Sequence, residues 1–353
     1  MPRPPKIYPF DYGFPLFVPD APRAYLIKHE KMRVSDIWGF WDYLVKTHSQ
    51  KRSPQQGQFL QSMLEQARYF FAAAQTAPLH SQPLLYYYSF LNIAKIVINV
   101  YHNLGNTVEY YHGIETQVSS VTTLANAGVS FKQYTGIGTS RISVAKEFLT
   151  ILGDSINVHN VTSVKNLLQS CIGIHRTYCE IFNEKESFYR LQFQKEIIKN
   201  GMLISFDSVV KNMDNTIATM PSWRRYNLQR NGGTYMYHIE YTMPNYNFVF
   251  NSWKELARRT ISNGIWSYTD GNEYRMYISS TAQSLSSASI IYCIMFFLGS
   301  ITRYHPYFFD SLLSAKEQWL IDEFLHTQPL QFMYMVTSKV VGNYVYHTRQ
   351  MTD

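Results

Sequence analysis

The chain has 353 residues, 46% of them apolar and only 16% charged. That excludes a disordered protein and allows a substantial buried core. Lys plus Arg exceed Asp plus Glu by 32 to 25, a net charge of +7 that favours a polyanionic partner only mildly. Cys171, Cys179 and Cys293 are the only cysteines and form no CxxC pair. They exclude a disulfide scaffold and read as reduced thiols of a cytoplasmic protein.

Residues 1–30 carry Pro2, Pro4, Pro5, Pro9, Pro15, Pro19 and Pro22 and read as an irregular lead-in. Met1 to Phe10 shows none of the apolar h-region of a signal peptide. A helical pattern begins at Trp38, Phe40, Trp41 and Leu44. Gln55 to Thr76 is a clearer helix, with Phe59, Met63, Ala67, Phe70 and Ala74 on one face. From Pro83 to about His102 the pattern is apolar nearly all round, which predicts a central helix. Five glycines loosen residues 103–140, with short extended pieces expected at Val108–Tyr111 and Val129–Tyr134. Helices are expected again at Ser143–Leu152 and Ser163–Asn183.

Between 188 and 281 the period changes. Thr234 to Met243 alternates Tyr235, Tyr237, Ile239 and Tyr241 with the residues between them, which is strand periodicity. Phe188–Glu196, Met202–Val209 and Glu273–Ser279 are further strand candidates, and Asn251–Ile261 reads as a short helix. Ser284–Thr302 and Asp310–Leu325 return to helix, and Pro329 opens a last one. The apolar run Ala288–Ile301 is shorter than the roughly 20 residues of a membrane span, so no membrane is expected. The expected fold is mainly α (α+β), a helical body with a small antiparallel β insert. Residues 1–30 form the lead-in, 31–187 the body, 188–281 the insert, and 282–350 the helices that complete the body.

Motifs for familiar chemistry are absent. The chain has no phosphate-cradling GxxxxGK[ST] loop, no HExxH and no GxSxG elbow, so neither a cofactor nor a metal is expected and no catalytic residue is identified. Asp270, Glu273 and Arg275 form a hairpin rather than a metal nuclease's carboxylate cluster, where lysine is preferred in place of Arg275. Arg23 and His29 match the Arg-x(4–6)-His spacing of HEPN-type ribonucleases, but they fall in the proline-rich lead-in, where the match is chance.

Four stretches together resemble the YaaC-like family. They are Ala67-Arg68-Tyr69-Phe70-Phe71-Ala72-Ala73-Ala74; Gln82-Pro83-Leu84-Leu85-Tyr86-Tyr87-Tyr88-Ser89-Phe90-Leu91-Asn92-Ile93-Ala94-Lys95; His112-Gly113-Ile114 with a later Gly128-Val129-Ser130-Phe131; and Arg303-Tyr304-His305-Pro306. The resemblance spans about 60–325. It implies a helical core distantly similar to HEPN domains and, by that analogy, a link to nucleic acid or to antiviral defence.

The polar residues in these stretches include Arg68, Asn92, Lys95, His112 and Arg303. Asn92 and Lys95 share a helix face, with Tyr88 one turn before Asn92. Such a cluster with few acids nearby suits a phosphate: arginine supplies a bidentate fork, lysine a point charge, histidine a proton donor or acceptor. The same side chains would equally serve backbone carbonyls and helix ends, and Arg303 and His305 could simply complement a helix dipole. A second candidate surface interleaves Trp223, Arg224, Arg225, Tyr226 and Arg230 with strand tyrosines, a pattern that stacks bases and neutralises phosphates.

The leading expectation is an intracellular protein that binds nucleic acid or a nucleotide, in a defence or stress setting. The alternative is a non-catalytic scaffold that forms a homo-oligomer and recruits a protein partner. A third reading is an enzyme acting on a phosphorylated metabolite.

Overall fold

The computed structural model describes residues 7–9, 31–105, 108–119, 123–133, 141–158, 160–198, 201–208, 228–231, 234–240, 265–270, 273–279, 285–341 and 344–346. Two short strands come first, β1 (Ile7–Pro9) and β2 (Lys31–Arg33). Helix α1 (Ile37–Ser49) starts where the Asp36 carboxylate accepts from the backbone N–H groups of Trp38 and Gly39 at 3.1 and 3.0 Å. Helix α2 (Pro54–Thr76) opens on a reciprocal capping box between Ser53 and Gln56, with Pro54 in its first turn. Its buried stripe is Leu60, Leu64, Ala67, Phe71 and Ala74, the three-to-four spacing of one helix face. Helix α3 (Gln82–His102) is buried almost all round and ends at Asn103 in the left-handed conformation, φ 53°.

Short strands follow: β3 (Tyr110–Tyr111), β4 (Ile114–Gln117), β5 (Gly128–Phe131) and β6 (Ile142–Ser143). Then come α4 (Val144–Ile151), β7 (Val161–Ser163), α5 (Val164–Ser170) and α6 (His175–Phe182). The next six strands are β8 (Phe188–Ile198), β9 (Gly201–Ser208), β10 (Leu228–Asn231), β11 (Thr234–Glu240), β12 (Ile265–Asp270) and β13 (Glu273–Ser279). Helices α7 (Ser287–Tyr304), α8 (Pro306–Leu313) and α9 (Glu317–Val341) precede a last strand, β14 (Tyr344–Tyr346). The chain is mainly α with a smaller β part, the class expected from its periodicities.

The chain divides into two compact units. One, of helices and short strands, comprises Asp36–Glu186 and Leu285–Thr337; the other comprises Met1–Ser35, Ser187–Ser284 and Ser338–Asp353. In the helical unit α7 is the most enclosed element, with every residue from Ala288 to Ile301 buried. It is long and apolar enough to cross a membrane, but that burial makes it a core helix. The buried carboxylate of Asp154 holds its start, accepting from the Ser286 N–H at 2.8 Å and the Ser286 hydroxyl at 3.0 Å. Phe90 of α3 stacks on Phe332 of α9 with ring centroids 3.8 Å apart. Trp41 of α1 donates its indole N–H to the Thr337 hydroxyl at 2.8 Å.

In the other unit six strands run antiparallel in the order β10-β11-β9-β8-β13-β12. Strand β1 joins the edge of β8 that β13 leaves free, with Ile7 opposite Glu196 and Pro9 opposite Gln194. A proline is tolerated there because an edge strand need not donate every ladder bond. Strand β14 pairs in parallel with β2.

Several expectations change. The lead-in contributes a strand, β1, where irregular chain was expected. The helix expected over Ser163–Asn183 divides at Cys171, whose extended backbone (φ −82°, ψ 98°) ends α5 before a 3₁₀ turn leads into α6. Pro329 lies inside α9 instead of opening a helix. Buried Leu325, Phe332 and Met333 around it supply packing that offsets the missing N–H bond. The helix expected at Asn251–Ile261 lies outside the described residues.

Candidate functional site

The helical unit holds a cavity of about 370 Å³ where α3, α7 and the β3–β4 segment meet. Its floor is a close helix contact. A Cβ added at Gly299 would lie 3.0 Å from the Tyr87 Cβ and 3.2 Å from the Pro83 carbonyl, so any side chain there would push α7 and α3 apart by a few tenths of an ångström. Above that floor Tyr87 packs edge-on against Phe296, with centroids 5.3 Å apart.

His112 reaches the cavity from the turn between β3 and β4. The Ala145 N–H of α4 binds its carbonyl at 3.0 Å. The next residue, Gly113, has φ +69° and leaves no room for a side chain, since an added Cβ would fall 1.7 Å from the Ser143 Oγ. The imidazole Nδ1 meets the Tyr87 hydroxyl at 2.5 Å. Burial first, then the neighbouring Tyr292 phenol, pushes the Tyr87 phenol well above its usual range. A protonated phenol both donates and accepts, so this bond fixes the ring, and the imidazole proton sits on Nε2 when Tyr87 donates to it and on Nδ1 when Tyr87 donates to Tyr292 instead. Desolvation, followed by the positive charges of Lys95 and Arg303, holds the His112 pKa below its ordinary 6.5. At neutral pH His112 is therefore an uncharged ring, with an N–H at Nε2 whenever Nδ1 accepts from Tyr87.

Arg303 ends α7 and lines the same cavity. Its Nη1 donates to the Tyr88 hydroxyl at 2.9 Å, and its guanidinium lies 5.0 Å from the Tyr304 ring centroid. Among the described residues it has no carboxylate partner. The one carboxylate lining the cavity, Glu115, is already satisfied: it pairs with Lys132 and accepts from the Ser130 hydroxyl and the Gln117 amide. Thr116 and Ser300 add a pair of hydroxyls 3.3 Å apart. The arrangement offers a cation, a neutral imidazole and hydroxyls to an anion, against aromatic walls.

The structure brings together only some of the residues singled out from sequence. His112 and Arg303 share the cavity. Lys95 does not line it, but it stands near enough to act on His112 and lies 5.9 Å from the Tyr110 ring centroid. Its half-buried ammonium makes no ion pair among the described residues, and desolvation lowers its pKa. Asn92 faces α2, donating to the Gln66 side chain at 3.4 Å. Arg68 is exposed on α2, and its charge is felt at Asp42. Arg230 lies on β10, opposite Tyr235 of β11. Trp223, Arg224, Arg225 and Tyr226 lie outside the described residues. Sequence reasoning passed over Thr116, Ser300 and Tyr304 as site residues. The run Tyr86-Tyr87-Tyr88 and the Arg303-Tyr304-His305 segment were the available signals.

A mainly helical core around a cation-bearing aromatic cavity is the class of protein that fold and site define. A family model described as YaaC-like Protein matches residues 31–340, and the chain belongs to that family. No curated protein and no solved structure matches it. Three of the four stretches that carry the family resemblance supply the cavity: Tyr87 and Tyr88, His112, and Arg303 with Tyr304.

Proposed function

We propose that this protein binds a phosphate-bearing ligand, a nucleotide or the end of a nucleic-acid strand, in the cavity between α3 and α7. The observation that carries the reading is Arg303, a cation without a carboxylate partner among the described residues, set on a cavity whose own carboxylate is already paired. A phosphate placed there receives the guanidinium fork and, with Nδ1 of His112 accepting from Tyr87, the Nε2–H of a neutral imidazole. The positive charge of Lys95 adds to the attraction. The three buried free thiols fit a reducing, cytoplasmic setting. A role in defence or stress is carried by the family resemblance alone.

The test is calorimetric titration of the purified protein with nucleoside monophosphates, beside an Arg303→Gln variant. Arg303 is exposed, so the variant should fold normally. Loss of one charge-assisted contact should weaken binding by about ten- to a hundredfold. Equal affinity in the two proteins would rule this cavity out as the phosphate site.

A further inference from the structure

A second cavity, of about 580 Å³, adjoins the first at the corner between α7 and α8. The two share Tyr304 and His305 as lining residues. The corner is fixed by the chain itself: the His305 N–H still bonds to the Ile301 carbonyl at 2.9 Å, and Pro306 begins α8 in the next residue. The reversal therefore needs no loop. It carries Tyr304 and Tyr307, 63% and 90% exposed, on either side of the turn. Val118, Pro306 and Phe308 complete the apolar lining, Ser119 and Ser311 add hydroxyls, and no carboxylate is among the lining residues.

We propose that this second cavity is a base-binding subsite, and that the ligand is a nucleoside phosphate with its phosphate at Arg303 and His112 and its base against Tyr304 and Tyr307. The inference rests on the phosphate-binding reading of the first cavity and extends it. Two features carry it. The shared residues Tyr304 and His305 set the two cavities side by side, and each lies within the roughly 300–1,000 Å³ range of small-molecule sites. A phosphate or sugar phosphate alone would leave the larger cavity empty. The chemistry also divides along the site, from a cation and N–H donor at one end to exposed phenol rings at the other. Exposed aromatic rings beside a cation stack any base, because every base has a π-face. Tyr304 already engages Arg303, so it joins the two ends.

The experiment compares ribose 5-phosphate with the four nucleoside 5′-monophosphates by calorimetry, on the wild-type protein, Tyr307→Ser and Arg303→Gln. At least one nucleotide should bind about tenfold or more tightly than ribose 5-phosphate. Tyr307→Ser should abolish that margin and leave ribose 5-phosphate binding unchanged. Arg303→Gln should weaken all five. If every nucleotide binds like ribose 5-phosphate, or if Tyr307→Ser keeps the margin, the base subsite is overturned while phosphate binding stands. If none of the five binds, the phosphate reading fails and this inference with it. A 5′-phosphorylated tetranucleotide in the same series separates the two sources of this chemistry. Tighter binding than the mononucleotides marks a strand end, and equal or weaker binding a free nucleotide.

Discussion

The Tyr87 hydroxyl fixes what His112 can offer. With Nδ1 held at 2.5 Å the ring is oriented, and when Tyr87 donates to it the imidazole presents Nε2–H. Tyr87→Phe keeps the ring that packs on Phe296 and removes that orienting bond together with the hydroxyl's interaction with Tyr292. Phosphate affinity should fall about three- to tenfold while folding stability changes by about 1 kcal/mol or less. Titration calorimetry with a thermal melt reads both. Unchanged affinity would mean that His112 is held by its backbone alone. The site was only partly legible at this scale, for a geometric reason. At about 100° per residue, Tyr87 and Asn92 lie roughly 140° apart around α3, so they face different neighbours. Asn92 turns to Gln66 of α2 and Tyr87 to Phe296 of α7. Asn92 and Lys95 do share the α3 face read from spacing, but no spacing rule shows which neighbour that face meets. Nor could spacing place His112 beside Arg303, far away in sequence.

Among the elements, the pairing of α3 with α7 carries the site. Gly299→Ala pushes a methyl group against the Tyr87 Cβ and the Pro83 carbonyl. The expected loss is about 1–3 kcal/mol of stability together with weaker ligand binding, read by chemical denaturation and calorimetry. Both helices were legible in advance because their apolar residues run nearly all round, a pattern few other arrangements tolerate. The alternation of Thr234–Glu240 was legible for the same kind of reason, its period of two marking β11. What escaped notice was short or set by partners. Strands β4 and β7 are four and three residues long and exist through pairing with β5, leaving too little sequence to show a period. Strand β1 is a three-residue edge strand ending in Pro9, which on its own argues against a strand. The break at Cys171 depends on backbone angles that no residue type there demands.

For the whole molecule, desolvated histidines set a dependence on pH. Desolvation is the leading cause that holds His48, His112 and His175 below their ordinary 6.5. Above about 6.5 these rings are neutral whether the chain is folded or not. Below it the unfolded chain takes up protons that the folded chain refuses, so stability falls as pH drops from 6.5 towards the folded-state values. Melting temperature should decline between pH 7 and pH 5, by about 2–4 °C for each kcal/mol lost. A flat profile across that window would contradict the desolvation of these rings.

The glycine contact beneath the cavity also has a meaning in time. Where α7 passes α3 at Gly299 there is little room even for a methyl group, and packing this close should keep the cavity floor in place as a guest enters. Entry should then be a simple collision: in stopped-flow mixing, the observed rate should rise linearly with ligand concentration as a single exponential. How long a guest stays would be set by the contacts it makes at Arg303 and His112. A rate that levels off at high concentration would reveal a slow opening step and a floor less rigid than this packing implies.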